Sequence, residues 1–371
     1  MQYEYSFEGQ ERIPSPQLIC YQDAIESNLK HMIVLSHGAE KLWPHVKTHK
    51  MIEVVKLAIC HGITSFKCAT IAEAEMCGMA EAEKVLLSYP LLGPNVERFF
   101  SLMKHFPKTK FYAMEDDFVA VCALSDAAVK GGVTVSLLMD VDLGQDRTGM
   151  AMDKAADAYE EWTRLPGICM AGLHCYDGHR HESDPNERLS LVAAEDEGVK
   201  KLKKTLSERG LACEFVILGG TPSFPCHVEQ MPDDFYSPGT CVLWDFGYDK
   251  AYPDLAFTPA AAVLVRVVSR RGDDRMTLDL GTKAVASDPL GERASLVGFE
   301  DAVTVLQNEE HWVVRVPKKK GRTLPPVGTV LFAIPAHVCP TSALYPEACV
   351  VENGKWTGTW KVTARDRKIT I

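Results

Sequence analysis

Lys110-Phe-Tyr-Ala-Met114, Asp116 through Lys130, and Val133-Thr-Val-Ser-Leu-Leu-Met-Asp140 run in order as a short apolar stretch, a helical pattern and a second apolar stretch. Two such strands separated by a helix-length segment pair parallel, because a parallel connection has to cross back over the sheet. The alternation continues in both directions. Upstream it predicts strands at Pro44–His49, Ser65–Thr70 and Val85–Tyr89, and downstream at Cys169–Tyr176, Glu214–Leu218 and Gly239–Asp245. The intervening helices fall at Asp23–His37, Met51–His61, Ile71–Met79, Asn95–Lys104, Asp153–Thr163 and Pro185–Arg209. Eight such units between residues 18 and 245 predict an α/β fold, a closed (β/α)8 TIM barrel. An open doubly wound sheet is the competing architecture. The absence of a GxGxxG turn after the first strand counts against its commonest dinucleotide-binding form.

After Asp245 the pattern changes. Ala260–Ser269, Met276–Leu280, Ala302–Leu306, His311–Val316, Thr329–Ile334 and Ala348–Glu352 read as strands separated by turn signals. No helical pattern of comparable strength intervenes, so residues 246–371 predict a C-terminal all-β domain, to which about residues 1–17 add a strand.

Composition narrows the partners. Hydrophobic residues make up 46% and charged residues 24%, as in ordinary globular proteins, and the net charge of −10 argues against a phosphate-backbone partner. We expect no nucleic-acid and no membrane partner, since no basic stripe and no membrane-length apolar run is present. The twelve cysteines form no CxxC motif or paired framework, and no secretory signal precedes Pro14, which points to a reducing cytoplasm.

Candidate chemistry lies at the strand ends. On a strand, Pro44-His45-Val46-Lys47-Thr48-His49-Lys50 would put His45, Lys47 and His49 on one face. A lysine facing inward would be costly to keep charged, and so a nucleophilic amine; a solvated basic edge is the plain alternative. Asp140 to Gly149 places alternate acids before a turn holding Arg147, which suits a buried, locally neutralised arginine or a structural salt bridge. Tyr176-Asp-Gly-His179-Arg-His181 clusters histidines at another strand end, as bases, ligands or loop residues. Gly219-Gly220-Thr221 and Pro238-Gly239-Thr240, in adjacent units, are turns through which backbone and hydroxyl can reach a phosphate. In the β-domain, His337 and Cys339 stand two apart on an extended segment. They are a candidate divalent-metal pair with open positions, or a chance histidine beside a buried cysteine.

Taken in order, these motifs, with Gly172-Leu-His-Cys-Tyr176 and Asp279-Leu-Gly-Thr-Lys283, resemble the fold-type III pyridoxal-phosphate enzymes, in the group of D-threonine aldolase and D-serine dehydratase. The resemblance implies that Lys47 carries pyridoxal 5'-phosphate as a Schiff base, with Arg147 at its phenolic oxygen and Tyr176 near its ring. Gly219, Gly220, Thr221, Gly239 and Thr240 would hold the phosphate, and His337 and Cys339 a divalent metal, zinc or manganese. It further implies a homodimer with the site at the subunit interface, to which Asp288 contributes. Cys241 stands where many relatives have tyrosine, leaving the partner of the pyridine nitrogen unnamed. The implied substrate is a small β-hydroxy-D-amino acid. The implied reaction is retro-aldol cleavage with His179 as base, or dehydration of D-serine or 3-hydroxy-D-aspartate. A racemase and a non-catalytic cofactor carrier are the remaining readings.

Overall fold

The structure is a computed structural model that describes residues 3–371. The chain divides into two compact units, one formed by the segment up to Leu29 with Thr48–Met51 and Thr240–Arg365, the other by Lys30–Lys47, Ile52–Gly239 and Asp366–Ile371. In chain order the strands are β1 (Gln17–Tyr21), β2 (Ser65–Cys68), β3 (Lys84–Leu87), β4 (Lys110–Glu115), β5 (Val135–Asp140), β6 (Ile168–Cys175), β7 (Phe215–Leu218) and β8 (Phe235–Tyr236). There follow β9 (Ala261–Arg271), β10 (Arg275–Leu278), β11 (Ala294–Leu296), β12 (Val303–Gln307), β13 (Trp312–Arg315), β14 (Val330–Pro335), β15 (Glu347–Glu352) and β16 (Lys355–Lys361).

Strands β2 to β8 form a parallel sheet in sequential order. Its strands read as unbroken apolar runs because helices cover the outer face while the inner face packs on itself. Residues 42–45 join the two edges. Trp43 N–H donates to Tyr236 O (2.8 Å), His45 N–H to Pro238 O (2.9 Å), and Lys67 N–H to Pro44 O (3.1 Å). The expected strand Pro44–His49 is therefore only its first part, and Val46–Thr48 is a 3-10 turn. The two histidines explain the change. His45 Nδ1 accepts from Lys47 N (3.3 Å) and His49 Nδ1 from Met51 N (3.0 Å), so side chains satisfy the backbone locally instead of a strand ladder. The expected strand Gly239–Asp245 is likewise a turn, because Thr240 O takes the N–H groups of Leu243 and Trp244. Inside the ring, Trp43, Leu86, Tyr112, Met114, Leu138 and Phe215 pack as a buried plug, with Trp43 stacked on Phe215 at 5.6 Å.

In the other unit, β1 lies between β9, antiparallel, and β15, parallel. The sheet runs β12-β13-β10-β9-β1-β15-β16, with β14 bridging β9 and β11. The all-β character expected after Asp245 is present, with two strands, β11 and β16, that the pattern did not show. β11 has three residues and β16 is a largely exposed edge, so neither carries an apolar run. The extended His337–Cys339 segment is a further expectation that fails. His337 is the N-cap of a short helix, Val338–Ala343, and Cys339 lies in its first turn.

Candidate active site

Above the plug, at the C-terminal ends of the parallel strands, lies a cavity of about 460 Å³, within the range that small-molecule sites occupy. Lys47, Lys67, Asp140, Arg147, His174 and Tyr176 are on its wall. Lys47 is exposed, so the expectation of a desolvated lysine at that position is corrected: the 3-10 turn carries it out of the strand and over the cavity. The desolvated lysine is instead Lys67, in the middle of β2 and 2% exposed.

Lys67 Nζ donates to Ser237 Oγ (2.7 Å) and sits 3.2 Å from His174 Nε2. His174 Nδ1 in turn lies 2.7 Å from Asp140 Oδ1. A bulge in β6 sets this up, since Leu137 pairs with Met170 but Leu138 with Gly172, which brings Asp140 level with His174. Gly172 has to be glycine, as a Cβ there would come 1.9 Å from Phe215 O on β7. Burial, then the charges of Lys47 and Arg147, lower the Lys67 pKa to about 7, against the pull of Asp140 and Asp177. Burial and Lys67 also lower that of His174, while for Asp140 the hydrogen bonds from His174 and Thr148 outweigh burial and lower it. At neutral pH His174 is thus a neutral imidazole beside a carboxylate.

Arg147 is exposed, not buried and neutralised as its acidic neighbours suggested. Asp140 is engaged by His174 and Thr148, and Asp142 Oδ1 accepts from Gly144 N and Gln145 N, pinning the loop. The guanidinium lies 5.2 Å from the centroid of the Tyr176 ring, with Lys67 Nζ at 4.9 Å from the same ring. That ring runs nearly parallel to His174 (16°).

The Gly219-Gly220-Thr221 turn borders Tyr176, and a Cβ on Gly220 would stand 3.1 Å from that ring. Gly219 takes φ +70° against His227, which leaves no room for a side chain. Its N–H donates to Cys175 O, and Gly220 N–H to Asp177 Oδ1 and Ser223 Oγ. The glycines therefore shape the turn, their own donors being engaged. Gly239 N–H donates to Thr221 Oγ1 (3.1 Å), tying the two loops together. Beneath them His227 sits between Asp177 (3.0 Å) and Asp196 (2.9 Å), all three fully buried. Burial pushes the imidazole's pKa down, but the two carboxylates outweigh it and raise it to about 10.

His179 is not on the cavity wall. Its Nε2 contacts Glu195 Oε1 (2.9 Å), which Arg180 also holds, and its buried Nδ1 has no hydrogen-bond partner. In the β unit, Thr240 Oγ1 and Thr48 Oγ1 lie 3.6 and 3.3 Å from Cys339 Sγ. His337 Nδ1 is 2.5 Å from Asp288 Oδ2, and its ring hydrogen-bonds Cys339; against burial, these two partners raise its pKa to about 9. No group of three or more potential metal ligands occurs among the described residues. The residues missed from sequence are Lys67, His174, Ser237 and His227. Lys67 alone left a trace, as a lone charge within a buried apolar strand.

Comparison with known proteins fits this geometry. The alanine racemase N-terminal domain matches residues 21–245, and a putative serine dehydratase domain matches residues 260–351. The chain belongs to the alanine racemase N-terminal domain family. A D-threonine aldolase from Arthrobacter sp. is 28% identical over 95% of this chain and 93% of its own. A 3-hydroxy-D-aspartate aldolase from Paracoccus denitrificans is 27% identical over 96% and 93%. The crystal structure of D-threonine aldolase from Filomicrobium marinum superposes with a TM-score of 0.89, at 26% identity, over 98% of this chain and 99% of that one. The structural relatives are fold-type III pyridoxal-phosphate enzymes. The residues present suit that cofactor: an exposed amine at Lys47, cations at Arg147 and Lys67, an aromatic ring, and a glycine turn that a Cβ would fill. No helix among the described residues is long and apolar enough to cross a membrane.

Proposed function

We propose that this protein is a pyridoxal-phosphate-dependent lyase of β-hydroxy-D-amino acids, of the D-threonine aldolase type, releasing glycine and an aldehyde. The observation that carries this reading is the end-to-end likeness to a D-threonine aldolase, with Lys47 exposed on a cationic cavity wall. Lys47 would hold the cofactor through its ε-amine, with Arg147 and Tyr176 beside it. Gly219, Gly220, Thr221, Gly239 and Thr240 would surround the phosphate. When bound, the cofactor supplies an electron-accepting ring that stabilises negative charge at the substrate's α-carbon.

The chain's own groups do the rest. Arg147 and Lys67 bring positive charge to a cavity that must take an anionic ligand and a substrate carboxylate. We assign His179 the substrate's hydroxyl proton; one of its nitrogens is held by Glu195 and it lies off the cavity wall, so it would act through an intervening water rather than by direct contact. His337 and Cys339, with Asp288 against the imidazole, would hold zinc or manganese, a Lewis acid for the β-hydroxyl. The protein would act as a cytoplasmic homodimer with the site at the subunit interface.

The His337–Cys339 pair favours a second reading, since a thiolate ligand suits zinc and the loss of hydroxide in a dehydratase. There Lys47 would remove the proton from Cα. Incubation with D-threonine, D-serine and D-threo-3-hydroxyaspartate separates the two. Glycine with an aldehyde supports the aldolase, a keto acid with ammonia supports the dehydratase, and neither product discards both. Lys47→Ala should remove the visible absorbance of the bound cofactor together with activity; an unchanged spectrum would move the cofactor lysine elsewhere.

A further inference from the structure

Beyond the positive charge it lends the cavity wall, Lys67 has no role in the chemistry above, yet it places an ammonium where water barely reaches. A lysine is rarely buried without a reason in function, because the desolvation of its charge is large. Nothing in the packing of β2 demands it: the neighbouring strand residues Phe66 and Cys68 are apolar and fully buried. Its partners are all groups with a choice of proton position. Ser237 Oγ accepts at 2.7 Å and itself donates to Gly219 O at 2.9 Å, in the glycine turn. His174 Nε2 lies at 3.2 Å, and the Tyr176 ring lies 4.9 Å away. Lys47, Arg147, Asp140 and Asp177 are the charged groups that act on it, and the backbone of His45 bridges to its own.

We propose that Lys67 is a positioning residue of this site, which holds His174 from the side opposite Asp140 and whose charge sets how much positive charge the cavity wall presents to its occupant. As an ammonium it donates to His174 Nε2, which forces the ring proton onto Nδ1, where it is donated to Asp140. As a neutral amine it has released one proton to solvent through the cavity. The nitrogen keeps two N–H bonds and can still donate to His174 Nε2, while Asp140 continues to hold the ring proton on Nδ1. Arg147 then remains as the wall's free cation against Asp140, Lys47 being the cofactor's amine. The step breaks one N–H bond and needs no co-reactant. The balance between the two forms lies near neutral pH, so the change falls within a working range.

This inference rests on the cofactor reading, and the test separates the two. The visible spectrum of the cofactor-loaded protein is titrated for wild type, Lys67→Met and Lys67→Arg, with thermal melts to confirm folding. The wild type should show a spectral transition with a midpoint well below the ordinary lysine range, because burial lowers the Lys67 pKa. Lys67→Met, permanently neutral, should hold the high-pH spectrum throughout, and Lys67→Arg, permanently charged, the low-pH spectrum. The same transition in all three overturns the proposal and leaves the cofactor reading intact. No cofactor band in the wild type overturns both. Should the lysine variants fail to fold, Ser237→Ala decides. Loss of a hydrogen bond to the charged form should lower the midpoint by about one pH unit, and an unmoved midpoint overturns the proposal.

Discussion

His174 and His227 are both buried, both face aspartate, and both belong to the barrel unit, yet one is neutral and the other a cation. His174 has one carboxylate, Asp140, and a lysine at its other nitrogen, so its pKa falls and it stays neutral. His227 has a carboxylate at each nitrogen, and its pKa rises to about 10. Burial pushes both downward. What differs is the sign of the charge at the second nitrogen, and that sign separates a neutral imidazole from one that acts as a fixed cation. The first lines the cavity, while the second holds up the turn that borders it.

The comparison breaks most sharply at His227. His227→Leu would leave Asp177 and Asp196 facing an apolar side chain, a buried charge without its counterion. Urea unfolding should register a loss of about 3–5 kcal/mol. A loss under about 1 kcal/mol would mean that the two carboxylates are not ionised together. Asp140→Asn should cost less, about 1–3 kcal/mol, because the amide keeps hydrogen-bonding capacity but removes the charge facing Lys67 and His174. The pH dependence sharpens the same contrast. The folded pKa of His227 lies above its usual value near 6.5, so its stabilisation is complete below about pH 6.5 and fades as pH rises toward 10. Melting temperature followed across that window should decline in the wild type, and the decline should be shallower in His227→Leu. At an early stage of purification, a chelator offers the mildest probe: the visible cofactor band should persist while activity falls, and full activity without metal would discard the His337–Cys339 site.

The two histidines also mark what could be read in advance. The alternation of strands and helices from Ser65 to Leu218 was legible because parallel strands are buried on both faces and so read as uninterrupted apolar runs. The segment at 44–49 was not, since its fate depends on histidine side chains capping nearby N–H groups, a choice with no periodicity. Lys47, Arg147 and Tyr176 were found by motif and do share a wall, but the reason given for Lys47, burial, applies to Lys67 instead. His227 gave no signal. It sits in a short helix, Phe224–Gln230, and its partner Asp196 is one acid among Glu195, Asp196 and Glu197 in a long polar helix. Only the tertiary fold singles out the acid that points inward.

Strand β1 has a consequence for how the molecule is made. Its hydrogen-bonding neighbours, β9 and β15, are translated some 240 to 330 residues later, as the pairs Leu18–Val263 and Ile19–Cys349 show. A nascent chain must therefore carry Leu18, Ile19 and Cys20 with the β9 edge vacant until Ala261–Arg271 has emerged, and with the β15 edge vacant until nearly all of the polypeptide has left the ribosome. Chains halted early would expose a sticky apolar ribbon, and this beginning of the protein is where a folding chaperone would have most to shield.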